Sequence, residues 1–428
     1  MTRHSGNGTD IRKQVLPNGL MVISEAMPQL CSVSIGVWVI GGSRFEDRRL
    51  NGISHFIEHL LFKGTRRRSA GDIARAIDSV GGQLDAFTDK EYVGIYARVM
   101  DRHVSRAFEI LADIVLHPVF PPAEIKRERN VIAEEINTIE DSPQDLIHDI
   151  YHEGLWPDHP LGMPVAGTKE SLALIGRDDI LGFFRRHYSA RNIVMTMAGN
   201  LRHREVHELA GRHFGRLRSG SPTELGAPPQ MRPSRTIRNK DNLEQVHLCL
   251  GVFSPPWPPE ERFAAHLLST ILGGGMSSRL FQNIREKRGL VYSIESSLNL
   301  YRDVGTLVVS AAAAPEVAAR VVKLILREFR RLREDLVSAA ELRRAKDFVE
   351  GSLMLGLESS GSRMTHLAQQ QLYFGRLYGV KETIACLEKV TRGDIRRLAN
   401  EIFLSSSIHL AALGSDNDPQ LARLDLKV

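Results

Sequence analysis

Two histidines and a glutamate fall within five residues, His55-Phe56-Ile57-Glu58-His59. On a helix, positions i and i+4 share one face about a turn apart, so His55 and His59 form a two-nitrogen clamp with Glu58 beside it. The order His-x-x-Glu-His inverts the commoner His-Glu-x-x-His helix, and both serve one chemistry. Zinc on two neutral imidazoles and a carboxylate keeps a position open for water and lowers that water's pKa toward roughly 7, while a carboxylate outside the metal shell takes the proton. Glu58 is the expected base. Solvated helix faces also produce such short matches, so a third ligand has to decide.

The stretch around Ala123 to Asp141 supplies one. Ile125, Val131, Ile132, Ile136 and Ile139 form an apolar stripe at helical spacing, and Glu128 and Glu135 fall inside it, with Glu134 on the polar side beside Arg127 and Thr138. Burying an unpartnered carboxylate costs several kcal/mol or forces it to take up a proton. Two on one buried stripe point to a cation. Glu135 is the expected ligand and Glu128 its supporting carboxylate. A buried salt bridge to an arginine is the competing account, and the histidine pair tips the balance to metal.

The elements that must position these groups can also be read. A helix from Ile53 toward Lys63 packs through Phe56, Ile57, Leu60, Leu61 and Phe62, and Gly64 is its stop. The two halves of the chain repeat one pattern at an offset of 215 residues. Val33 to Trp38 aligns with Leu248 to Phe253, and Arg177, Asp179, Ile180, Tyr188 and Gly199 align with Arg392, Asp394, Ile395, Phe403 and Gly414. Two homologous domains follow, 1–215 and 236–428, joined by a Pro/Gly/Ser-rich linker over 216–235. In that register His55, Glu58 and His59 meet Thr270, Gly273 and Gly274, so the second domain cannot hold this metal. Its glycine run, Gly273 to Gly275, lacks the Lys and Ser/Thr of a P-loop, which excludes that mode of nucleotide binding. Gly81-Gly82 through Ala86-Phe87-Thr88 to Tyr92 and Ala97 reads as paired strands after a glycine turn.

Gly52 to Thr65, followed by Glu128 to Ile136, resembles the pitrilysin family, and within it the mitochondrial processing peptidase branch with its bacterial relatives. The resemblance implies His55, His59 and Glu135 as ligands of one zinc ion per chain, Glu58 as base and Glu128 as support. It implies that Arg285 and Tyr292, in the second domain, reach the substrate and the scissile carbonyl, where donors can support an oxyanion. It also implies that Ala86, Phe87 and Thr88 lie on an edge strand to which the peptide adds as another strand. The implied fold is α+β, two homologous domains that each pack an antiparallel sheet with helices. The implied activity is that of a zinc-dependent endopeptidase, a homodimer acting on unstructured peptides or presequence-like segments held between two domains. The alternatives are a non-catalytic scaffold subunit, like the respiratory-complex core proteins of this fold, or one subunit of a heterodimeric peptidase. The loop from His159-Pro160-Leu161-Gly162 to Gly167 matches the family too and carries no chemical role.

Composition sets outer bounds. The 428 residues, 42% hydrophobic and 25% charged, suffice for two sizeable cores. A net charge of +5 is the small difference between 56 basic and 51 acidic residues and gives no reason to expect nucleic acid, so Arg66-Arg67-Arg68 and Arg343-Arg344-Ala345-Lys346 read as solvated faces. Cys31, Cys249 and Cys386, scattered in apolar settings, make no disulfide framework and favour a reducing compartment. Met1 to Gln14 lacks the apolar core of a signal peptide, and no run reaches the roughly 20 apolar residues of a membrane helix. The expected location is the cytoplasm of a bacterium rather than a mitochondrial matrix, with peptides as partners and neither nucleic acid nor membrane.

Overall fold

The computed structural model describes residues 2–6, 9–230, 234–254, 256, 261–414 and 419–428; linker positions 231–233 lie outside it. Seven strands form the first sheet: β1 (Thr2–Gly6), β2 (Thr9–Val15), β3 (Met21–Ala26), β4 (Ser32–Ile40), β5 (Gln83–Thr88), β6 (Tyr92–Met100) and β7 (Ile193–Gly199). Their order is β1-β2-β3-β7-β4-β6-β5, which leaves β5 at an edge. The second sheet holds β8 (Arg235–Asn239), β9 (Val246–Ser254), β10 (Val291–Leu300), β11 (Gly305–Ala313) and β12 (His409–Gly414), in the order β10-β11-β9-β12-β8.

The first eight helices are α1 (Ile53–Leu61), α2 (Ala70–Asp78), α3 (Val104–Leu116), α4 (Pro122–Asp141), α5 (Pro143–Leu155), α6 (Lys169–Leu174), α7 (Arg177–His187) and α8 (His203–Phe214). The rest are α9 (Glu261–Gly273), α10 (Pro315–Glu334), α11 (Ala339–Gly356), α12 (Ser360–Phe374), α13 (Val380–Lys389), α14 (Arg392–Ile402) and α15 (Pro419–Arg423).

The repeat read from the sequence has a counterpart in topology. The run β3-β7-β4-β6-β5 has the same order as β8-β12-β9-β11-β10. In both, one neighbouring pair is parallel, β3 with β7 and β8 with β12. The sheets are therefore mixed rather than purely antiparallel as expected, because the strand closing each repeat returns through helices and enters beside the first strand in the same direction.

The chain divides into two compact units, Met1–Asn137 with Met163–Gly226 and Leu355–Gly379, and Thr138–Gly162 with Ala227–Met354 and Val380–Val428. These differ from the continuous halves 1–215 and 236–428 expected from the sequence, because each unit includes a helix from the other half. Helix α12 buries Met364, Leu367 and Ala368 among Ile23, Trp38 and Val194 of the first sheet. Helix α5 buries Ile147, Ile150, Tyr151 and Leu155 among Cys249, Val308, Ala411 and Leu413 of the second. Amphipathic spacing announces such helices but does not say which sheet they cover. With α12 on one face and α3 in contact with it, β4 is buried from Val33 through Val39 and shows no alternation.

All three cysteines are free. Cys249 is buried, whereas Cys31 is exposed, unlike the apolar setting expected for it. Among the described residues no helix is long and apolar enough to cross a membrane.

Candidate metal centre

Helix α1 begins on an acidic seat. The side chain of Glu46 accepts from Gly52 N at 2.7 Å, Ser54 N at 2.8 Å and Asn51 Nδ2 at 3.0 Å. A carboxylate here serves the orphan N–H groups and the positive end of the helix dipole. Burial pushes the Glu46 pKa up, against the pull of those bonds. Gly52 and Gly167 meet back to back at φ +92° and +79°: a Cβ on Gly52 would stand 2.6 Å from Ala166 O, and one on Gly167 2.5 Å from Asn51 O. Only glycine fits such a pair. Asn51 Nδ2 also donates to Pro164 O at 2.9 Å. The loop leading to Gly167 is thus the support on which α1 rests.

Phe56, Ile57, Leu60 and Leu61 are buried, which turns His55, Glu58 and His59 out of the core on one side of α1. The two imidazole rings lie 4.7 Å apart between centroids, edge to face. Helix α4 brings the third group. Arg129 anchors it, donating to Leu172 O and Ile175 O at 3.0 and 2.8 Å, with its guanidinium 5.9 Å from the Phe56 ring. Glu135 Oε2 then lies 3.7 Å from His55 Nε2 and 3.4 Å from His59 Nε2.

Donor atoms of His55, His59 and Glu135 all fall within 4.8 Å of one another. Around a tetrahedral ion with bonds of about 2.0–2.1 Å, neighbouring donors stand about 3.3–3.4 Å apart, and the two Glu135 separations of 3.7 and 3.4 Å are close to that spacing, in a donor set that suits a zinc-type cation. Burial, and then the neighbouring His59, lowers the His55 pKa to about 4, leaving a neutral ring with a lone pair to offer.

Glu128 sits two turns earlier along α4, with its side chain only 2% exposed, and its Oε2 lies 3.2 Å from His59 Nδ1. The two glutamates differ more than the sequence implies. Glu135 is not buried on the stripe but keeps 43% exposure, and Val131 is exposed, because α4 turns that edge to solvent while Ile125, Glu128, Ile132 and Ile136 face inward.

Glu58 is outside the donor set. Its Oε2 accepts from Thr88 Oγ1 at 2.5 Å, which ties it to the edge strand β5. Burial raises its pKa, opposed by the Thr88 bond. Ala86, Phe87 and Thr88 pair with Ile95, Gly94 and Val93 of β6 on one side, and their other side is the sheet edge. Behind the base, the Tyr188 hydroxyl is buried without a hydrogen-bond partner among the described residues; burial and then the Glu58 charge push its pKa up.

Arg285 and Tyr292 belong to the other unit, so they are described there by themselves. Arg285 is the penultimate residue of a π-helical turn, Phe281–Glu286, and Tyr292 sits at a register shift in β10 between Val291 and Ile294. Both are backbone irregularities of the kind that re-aim side chains. The Arg285 guanidinium stands 4.5 Å from the Phe281 ring and 5.8 Å from that of Tyr292, which is 80% exposed. Both residues line a cleft of about 520 Å³ with Gly273 to Gly275, His148 and Glu295.

Residues 21–169, which include the whole donor set, match the family Insulinase (Peptidase family M16), and residues 175–349 match the Peptidase M16 inactive domain. An uncharacterized zinc protease of Mycobacterium leprae is 40% identical over 96% of this chain and 93% of its own length. The chain belongs to peptidase family M16. The M16 fold is also that of a protease from Helicobacter pylori, with a TM-score of 0.89 at 23% identity over 95% of this chain and 99% of that one. A chain of complex III2 from Candida albicans has it too, with a TM-score of 0.83 at 20% identity, covering 95% and 96%. The M16 member described here keeps its metal-type donors in the first family region, and the region called inactive carries Arg285 and Tyr292 instead.

Sequence reasoning missed Glu46, Thr88 as partner of Glu58, and Tyr188. Glu46 caps from well before the helix, beyond the few positions in which capping signals are sought. The Thr88 and Tyr188 contacts depend on strand and helix packing that no local pattern encodes.

Proposed function

We propose that this M16 protein is a zinc-dependent endopeptidase. The observation that carries the reading is the convergence of His55, His59 and Glu135 while Glu58, on the same helix, is bonded to Thr88 and stays out of the donor set. Zinc, when bound, supplies a Lewis acid that polarises a peptide carbonyl and makes water acidic near neutral pH. Glu58 accepts a proton from the water whose oxygen attacks the carbonyl carbon, and returns it to the leaving nitrogen as the C–N bond breaks. The Thr88 bond fixes one carboxylate oxygen and leaves the other to carry the proton. The raised pKa of Glu58 makes its carboxylate a stronger base for the first of those steps.

The edge position of β5 supports backbone pairing of an extended peptide along Ala86, Phe87 and Thr88, a mode with little sequence selectivity. Unstructured peptides or presequence-like segments are therefore the substrate class. Arg285 and Tyr292 are assigned contacts to peptide carbonyls, and the working form is assigned as a homodimer. Light scattering at micromolar concentration should give twice the chain mass; a monomer refutes that assignment.

The deciding experiment compares the native chain with Glu58→Gln for metal content and for cleavage of a pool of unstructured peptides. The expected result is about one zinc in each and cleavage by the native chain alone. Zinc without cleavage in the native chain refutes self-sufficiency and makes it one subunit of a heterodimeric peptidase. Neither metal nor cleavage, with zinc supplied, leaves a scaffold role, the reading favoured by the likeness to a complex III2 chain. The complete donor set weighs against that role.

A further inference from the structure

The two histidines of the metal centre are not held alike. Behind His59, Glu128 Oε2 lies 3.2 Å from Nδ1, and the second oxygen of that carboxylate, Oε1, lies 2.9 Å from Lys63 Nζ. Behind His55 the described residues form no such chain, and its Nδ1 is buried without a hydrogen-bond partner among them. Lys63 lies two residues past the last residue of α1, beyond the cap Phe62, at the end where the helix dipole favours a cation, with 31% of its side chain exposed.

We propose that Lys63 is a positioning residue for the metal centre, locking Glu128 so that His59 carries its proton on Nδ1 and presents the Nε2 lone pair toward Glu135. The inference rests on the metal reading given above. An imidazole offers one lone pair at a time, and which nitrogen offers it is decided by the bond the other makes. An ionised carboxylate can only accept, so Glu128 claims the Nδ1 proton of His59. That carboxylate is almost fully buried, and a neutral imidazole alone is poor compensation for its charge. The Lys63 ammonium completes the compensation and fixes which oxygen faces which partner. Released from Lys63, the carboxylate turns, and His59 loses what sets its ring orientation and its tautomer.

The test measures zinc affinity of the full chain by competition with a chromogenic chelator, and the visible spectrum of the cobalt(II)-substituted form, for Lys63→Met, Lys63→Arg, Glu128→Gln and the double variant Lys63→Met/Glu128→Gln. Thermal unfolding of the metal-free forms separates loss of fold from loss of positioning. Lys63→Met should weaken zinc binding about tenfold or more, the usual cost of losing an outer partner of a metal ligand, and should shift the cobalt bands. Lys63→Arg should restore both. Adding Lys63→Met to Glu128→Gln should cost nothing further, since the lysine acts through that carboxylate. If Lys63→Met does not fold, Lys63→Gln takes its place. Native zinc affinity and cobalt spectrum in the charge-removing variant overturn the inference, whatever the stability shows, and so does an undiminished effect in the Glu128→Gln background. A native chain that binds no zinc overturns the metal reading as well, so the two failures are distinct.

Discussion

The crossing of α1 with β5 and the crossing of α9 with β10 hold the same place in the repeated topology, and they are built in opposite ways. At the first, a carboxylate and a hydroxyl fill the gap, with Glu58 Oε2 and Thr88 Oγ1 2.5 Å apart. At the second, Gly273 stands where the repeat register puts Glu58, and a Cβ there would lie 2.6 Å from Ser296 N. Ser296 Oγ donates to Ser269 O at 2.6 Å and closes helix onto strand. The second crossing thus lacks room for a base as well as the ligands. A duplicated fold can lose a site by packing, with its sheet order intact.

The sharpest way to break this comparison is to strip the first crossing of its ligands. His59→Ala or Glu135→Ala should abolish bound zinc after dialysis and lower peptide cleavage by about 10³-fold or more, whereas Thr270→Ala at the second crossing should leave both unchanged. Metal content by mass spectrometry, read beside cleavage rate, checks it. Full zinc in His59→Ala would place the metal elsewhere.

The exchanged helices carry the comparison from the sites to their supports, where the two are alike in mixing apolar and polar contacts. Helix α5 is held on the second sheet by apolar packing through Ile147, Ile150 and Tyr151, and by polar contacts as well: Ser234 Oγ donates to Gly154 O at 3.0 Å and Arg238 to Glu153. Helix α12 is held on the first sheet with polar help: Ser34 and Ser360 hydroxyls 2.9 Å apart, Thr196 Oγ1 donating to Met364 O at 2.8 Å, and Arg363 3.2 Å from the buried Glu25. Arg363→Met should cost about 3 kcal/mol at pH 7.5, the low end for breaking a buried pair, because Arg363 keeps 19% exposure. Burial raises the Glu25 pKa and Arg363 opposes the rise, so the variant pushes it higher. A raised carboxylate pKa means stability that is full below the unfolded value and lost as pH rises through the folded one. The penalty should therefore shrink toward pH 4.5 and grow above it, as urea unfolding at a series of pH values can show. A penalty independent of pH removes Glu25 from the account.

Much of the first crossing was legible because its chemistry is local. Two histidines and a glutamate on one helical turn declare themselves by spacing, and Glu128 and Glu135 stood out as charges in an apolar stripe. The repeat was legible because strand and helix starts kept one register from Val33 to Gly199. What spacing could not carry was tertiary. The stripe on α4 did not reveal that Glu135 lies at its wet edge. The amphipathic patterns of α5 and α12 did not say that each covers the sheet of the other half. The purely antiparallel expectation failed because a parallel neighbour is a matter of where a strand inserts, which its own residues do not record.

Filling the closed crossing sharpens the comparison from the other side. Gly273→Ala puts a methyl group 2.6 Å from the backbone nitrogen of Ser296 and 2.9 Å from its Oγ, and since backbone cannot yield as a side chain does, helix or strand must shift. Overpacking of this kind costs typically 1–3 kcal/mol, and about 2 kcal/mol is expected here, with zinc content untouched. Calorimetry with metal analysis checks both halves of that statement. A neutral substitution would mean that the absence of ligands alone separates the two crossings.

The smallest expected effect lies at the contact that makes the first crossing a site. Thr88→Val keeps the shape and the β-branched fit of the strand and removes the hydroxyl that meets Glu58. Zinc content should stay the same, since neither residue is in the donor set. A hydrogen bond to a carboxylate is worth about 1.5–3 kcal/mol, part of it recovered by water in an accessible site, so kcat should fall by about tenfold. The Thr88 bond lowers the Glu58 pKa against the rise caused by burial; without it the pKa goes higher. Because the base must be ionised to accept a proton, the acid limb of the kcat profile should move to higher pH in Thr88→Val. A fall in kcat with an unmoved limb would mean that Thr88 only places the strand. A moved limb with little loss of rate would mean that it tunes the base without orienting it. Movement of both together makes the edge strand and the base one unit, the property that the crossing of α9 with β10 has no room to acquire.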